Sequence, residues 1–129
     1  MQDLTFVLGS DHDPADLWSV LGDAGITMEA ACTFPRLEGR IVHAVVTDED
    51  ADRAHRALRK AGYLPLDRRP VLISEIQPQP GALGSLARRI SDAGVRIYIL
   101  YMATGNRVVI GADDLAAAAA ALTRPAASG

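Results

Sequence analysis

The chain is constrained above all by an internal repeat. Asp23-Ala24-Gly25-Ile26 returns as Asp92-Ala93-Gly94-Val95, at an offset of 69. The same offset sets Leu17 on Leu86, Leu21 on Ile90 and the apolar stretch 4–9 on 73–78. Past the next turn the offset becomes 66, so that Gly39 meets Gly105, Val42 meets Val108 and Asp48 meets Asp114. The order β-α-β-β-α therefore runs through the chain twice. A closing strand at Tyr63 to Leu66 completes the first copy, and the second copy stops where that strand would begin. The predicted fold class is α+β: two ferredoxin-like βαββαβ units packed together, the second lacking its last strand. Asp67-Arg68-Arg69-Pro70 forms the joint, dividing the chain into units at 1–68 and 69–129.

The local chemistry supports each element. Leu83, Leu86, Ala87, Ile90 and Ala93 recur at three- and four-residue steps, the spacing of an amphipathic helix over 81–93. Pro80 suits a first helical turn, whose N–H groups lack intrahelical partners. Gly94 suits the position just past a helix end, where φ is often positive. Gly25 and Gly62 read in the same way after helices 14–24 and 48–61. Arg40 to Val46 is the clearest strand of the first half. Asp113 reads as the cap of a final helix, 114–122, which is mostly alanine: a strong helix former that buries little area.

Composition narrows the function classes. With 49% apolar residues but few aromatics, the core must be filled mainly by Ala, Leu, Ile and Val. A net charge of -3 gives no reason to expect nucleic acid or an anionic membrane as a partner. The single cysteine, Cys32, excludes an internal disulfide and leans toward a reducing, cytoplasmic setting. No signal peptide and no apolar run of membrane-spanning length is visible. Several strands are apolar on both faces, including Val42, Ala44 and Val46, then Val108 and Ile110. More than the helices must cover such strands: side-by-side sheets or a second subunit would do it, and a homodimer is expected.

The repeated order, with Pro80-Gly81-Ala82-Leu83 followed by Leu86, Ile90 and Ala93-Gly94-Val95, resembles the ACT domain family in tandem over about residues 3 to 122. The resemblance implies a non-catalytic regulatory module that binds a small ligand, typically an amino acid, at an inter-unit or dimer interface. It places the contacts on Gln79, Pro80, Gly81, Ala82 and Leu83, with a strand of a neighbouring unit opposite. The chain departs from the pattern at Pro78, where the family often has an acidic or amide residue, and at Arg96, where it often has asparagine. In the first copy the 69 offset sets Asp11 and His12 on Pro80 and Gly81, so polar side chains replace the Pro-Gly pair. These departures leave a second reading, a scaffold or protein-interaction domain that has lost its ligand and accepts a strand on its open edge.

Single residues add less. A glycine at a helix start lets a ligand approach the backbone, and the exposed N–H groups there attract a carboxylate. Asp11, His12 and Asp13 have metal-ligand chemistry, but adjacent positions rarely converge, and no metal or cofactor is expected. His43 and His55 read as packing residues. Cys32 reads as a buried thiol with no CxxC partner and no convincing base. Arg88 and Arg89 read as solvated, whereas Arg96 and Arg107 are candidates to pair with a ligand carboxylate. Tyr98 and Tyr101 are expected on opposite strand faces. No nucleotide fingerprint, nucleophile elbow or carboxylate pair is present, and enzymatic function is not expected.

Overall fold

The structure, a computed structural model, describes residues 1–123. The chain divides into two compact units, Met1–Pro70 and Val71–Gly129. The first contains β1 (Gln2–Leu8), α1 (Pro14–Asp23), β2 (Ala30–Pro35), β3 (Arg40–Val46), α2 (Asp48–Lys60) and β4 (Asp67–Pro70). The second contains β5 (Leu72–Glu75), α3 (Ala82–Asp92), β6 (Ile97–Met102), β7 (Arg107–Ala112) and α4 (Leu115–Thr123).

In the first unit the strands form one antiparallel sheet in the order β2-β3-β1-β4. Leu4, Phe6 and Leu8 of β1 alternate toward the helices, as do Val42, Ala44 and Val46 of β3. They form one buried cluster with Leu17 and Leu21 of α1 and Ala51, Ala54 and Leu58 of α2. Thr47 caps α2 by accepting from the Asp50 N–H at 3.2 Å, and Asp13 caps α1 by accepting from the Ala15 N–H at 2.9 Å. Acidic residues crowd the first turn of α2 and basic ones its last, in the sense its dipole favours.

The fourth strand is not where the sequence pattern put it. Tyr63 to Leu66 is a connection, and Leu64 and Leu66 are largely exposed. The Tyr63 N–H donates to the Leu58 carbonyl as part of the helix end, with Gly62 at φ 94. Pairing with β1 begins only when the Leu66 N–H reaches the Thr5 carbonyl. It runs from Thr5↔Asp67 to Gln2↔Pro70. The presumed joint, Asp67-Arg68-Arg69-Pro70, is therefore β4 itself. As an edge strand it tolerates charged side chains and a terminal proline.

The second unit has a three-stranded sheet in the order β5-β7-β6. Among the described residues β5 has β7 on one side and no strand on the other, the expected missing closure. Leu86 and Ile90 of α3, Val108, Ile110 and Ala112 of β7 and Ala118 of α4 make its core. A bulge at Tyr98 interrupts β6 between Ile97 and Ile99. It turns the Tyr98 ring onto Gly111, where an added Cβ would lie 2.9 Å from that ring. Tyr98 and Tyr101, expected on opposite faces, therefore share one, because the extra residue shifts the alternation.

Sheet register also refines the repeat. Leu4 opposes Ala44 and Leu72 opposes Ile110, which sets the first strands at an offset of 68 rather than 69. The helix starts keep 68, Asp13 matching Gly81. The helix ends reach 69 because α3 has 11 residues and α1 has 10. The structural counterparts of Asp11 and His12 are thus Gln79 and Pro80.

Candidate functional site

The loop between β5 and α3 is built by its own backbone. The Ile76 N–H donates to the Asn106 carbonyl at 2.9 Å, which ties the end of β5 to the β6–β7 turn. The Gln79 N–H donates to Gln77 O at 2.8 Å and the Ala82 N–H to Gln79 O at 3.2 Å. Gly81 then takes φ 83, ψ -5, a left-handed conformation that costs glycine nothing. It occupies the N-cap position of α3 but brings no capping side chain. The first bond to a cap carbonyl comes from the Ser85 N–H to Gly81 O, at 2.9 Å. Among the described residues nothing accepts from the Leu83 and Gly84 N–H groups. Its chain neighbours and its own helix backbone apart, no atom of the described residues lies within 4 Å of where a Gly81 Cβ would be. An uncapped N-terminus of this kind carries partial positive charge toward solvent.

Two clefts flank the loop. One, of about 250 Å³, lies between the edge strand β5 and α3 and includes Ser74, Glu75, Gln79, Gly81, Ser85 and Arg89. The other, of about 400 Å³, lies toward the β6–β7 turn and adds Leu83, Met102 and Asn106 to the loop residues. Gln79, Pro80, Gly81 and Ala82 border both. Glu75 and Arg89 give the first cleft one acid and one base, and neither was singled out from sequence. Sequence spacing reads Arg89 as solvated, whereas it borders this cleft. The signal was present as the four-residue step Gly81, Ser85, Arg89, which lines one side of the helix.

The other expected residues lie elsewhere. Arg96 is exposed and borders neither cleft. Its N–H donates to the Asp113 carboxylate at 3.0 Å and its carbonyl accepts from the Asp113 N–H at 3.1 Å. Asp113 is thereby committed to β6, and Asp114 caps α4 instead, accepting from the Ala117 N–H at 2.9 Å. Arg107 donates to the Thr104 carbonyl and hydroxyl, fixing the β6–β7 turn. In the first unit, Asp11, His12, Asp13 and Arg40 border an open depression of about 420 Å³. There Asp13 is taken by its cap, the Asp11 and His12 side chains stand 4.0 Å apart and exposed, and the His12 ring meets Tyr63 edge to face. Among the described residues no group of three His, Cys, Asp or Glu could hold a metal ion, and no helix is long and apolar enough to cross a membrane.

No protein-family model and no curated protein matches the chain. Solved structures do. A protein of Bacteroides thetaiotaomicron superposes with a TM-score of 0.80 at 24% identity, covering 94% of this chain and 85% of its own. The ligand-free regulatory subunit of aspartate kinase from Thermus thermophilus superposes at 0.69 with 17% identity, covering 94% and 87%. The corresponding subunit from Thermus flavus gives 0.69 and 18%, with the same coverage. At these identities the likeness is one of fold: a tandem of ferredoxin-like units of the ACT type.

Proposed function

We propose that this chain is a non-catalytic regulatory domain that binds an amino acid at the loop 79–84. The observation that carries the reading is the start of α3, which has no capping side chain, beside a cleft lined by one acid and one base. A ligand carboxylate suits the N–H groups and the dipole behind them. A ligand amine suits the Glu75 side chain. A second copy of the chain, as a homodimer, completes the wall that the loop alone leaves open. Binding that favours one arrangement of the two copies is then the regulatory step, since a ligand shifts an equilibrium only by its differential affinity for the two states. The fold shared with aspartate kinase regulatory subunits supports a regulatory role.

Calorimetry against the twenty amino acids tests this, with the wild type and Gly81→Asp compared. The aspartate would bring its own carboxylate to the helix start, where it caps the N–H groups and repels a bound carboxylate. Saturable binding of one or a few amino acids, abolished by the substitution, is expected. Saturable binding that survives the substitution unchanged refutes the site.

A further inference from the structure

The two clefts at the α3 loop differ in chemistry. The one beside β5 is bordered by Ser74, Glu75, Ser85 and Arg89. Around the one toward the β6–β7 turn, of about 400 Å³, the described residues include no Asp, Glu, Lys, Arg or His. Its large side chains come from three places in the chain: Ile76 just past β5, Leu83 in the first turn of α3 and Met102 at the end of β6. Pro78 and Pro80 add apolar surface from the loop. Ile76 and Leu83 also pack against the buried cluster of this unit, which holds that wall in place. The Ile76 N–H bond to Asn106 O ties the loop to the β6–β7 turn, and the Ala103 N–H, donating to Arg107 O at 2.7 Å, closes the turn beside Met102. Met102 is 51% exposed, and its flexible thioether adapts to the shape it meets. The counterpart in the first unit differs on both counts. Gly81 corresponds there to Asp13, whose carboxylate already accepts from the Ala15 N–H at 2.9 Å. The depression beside it is bordered by Asp11, His12 and Arg40.

We propose that the cleft toward the β6–β7 turn is a side-chain subsite that selects an aliphatic amino acid, with Leu83 and Met102 as specificity-determining residues. The proposal rests on the amino-acid site proposed above. Gln79, Pro80, Gly81 and Ala82 border both clefts, so a ligand seated on them reaches both. The Cα of an amino acid is tetrahedral, and its amine and side chain point apart. With the carboxylate at the start of α3 and the amine toward Glu75, the side chain turns from the polar cleft to the apolar one. An aliphatic side chain there leaves water for contact with Leu83 and Met102. A charged side chain there gives up hydration and meets no opposite charge. The volume suits one small molecule.

Calorimetry with leucine, isoleucine, valine, alanine, aspartate and lysine reads the preference in the wild type, without any variant. Leucine is expected to bind roughly tenfold tighter than alanine, since an open cleft covers only part of the added carbons. Aspartate and lysine are expected to bind more weakly than alanine. Met102→Asp, an exposed position where circular dichroism confirms the fold, is expected to cut the advantage of leucine over alanine to about twofold or less. A preference for aspartate or lysine that Gly81→Asp abolishes overturns the subsite and leaves the loop site standing. A leucine preference that Met102→Asp leaves intact overturns the subsite as well. Leucine binding that survives Gly81→Asp, or no saturable binding by any of these amino acids, removes the loop site and the subsite together.

Discussion

Replacing Gly39 by alanine separates two costs that are usually confounded. Gly39 has φ 88 in the turn between β2 and β3, where its carbonyl accepts from the Arg36 N–H at 3.1 Å. A Cβ there would lie 1.9 Å from the Leu8 carbonyl oxygen and 3.0 Å from the Leu8 carbonyl carbon. Neither atom belongs to a side chain that can swing aside, so the turn must lift or the end of β1 must shift. Gly62 has nearly the same conformation, φ 94, and, its chain neighbours apart, nothing lies within 4 Å of its Cβ position. Gly62→Ala is thus the control for backbone strain alone. That strain costs about 1–2 kcal/mol, offset by about 0.4–1 kcal/mol because alanine restricts the unfolded chain. Gly39→Ala carries the same terms and adds overpacking of about 1–3 kcal/mol. Urea unfolding followed by Trp18 fluorescence measures both, since the only tryptophan packs on the first unit's core. Losses for the two variants that agree within about 0.5 kcal/mol, the usual spread for an unremarkable surface change, would show that the close approach to Leu8 has no energetic consequence.

Two further outcomes use the same unit. Leu58 is fully buried between α2 and the sheet, so Leu58→Ala is expected to cost about 2–5 kcal/mol, read from the same urea midpoint. Burial holds His55 below the usual imidazole range, helped by Arg68 and Arg59 and opposed by Asp52. Because the folded value is the lower one, the unfolded chain binds the proton more readily, and stability falls as pH drops through about 6.5. Stability measured between pH 7.5 and 5.5 is expected to slope less in His55→Gln. An unchanged slope would remove His55 as a contributor.

The helices were legible because their signals are local. Glycines 25, 62 and 94 mark three helix ends, and each adopts positive φ just past its helix. Pro14 and Thr47 mark starts equally well. The fourth strand was misread because Tyr63-Leu64-Pro65-Leu66 is apolar and Asp67-Arg68-Arg69-Pro70 is not. An edge strand gains its stability from pairing along one side and needs no apolar face. The loop at 79–83 was legible from its glycine and proline, whereas Arg89 and Glu75 join it only through the packing of α3 beside β5. Arg96 sat next to the loop in the sequence pattern but is fixed to Asp113, a tie between residues 17 apart that no local rule reveals. The Asp3–His43 contact spans 40 residues and depends on strand register, which a shift by one residue would abolish.

The three-stranded sheet of the second unit has a consequence for the proposed binding. Among the described residues no strand pairs with β5 on one side, the closing helix is mostly alanine, and the buried cluster of this unit has fewer members than that of the unit before it. A ligand bound at the α3 loop, as proposed above, would add its binding energy to the unit with the smaller buried cluster. On the proposed function, even a modest affinity would then change how firmly that unit is held together.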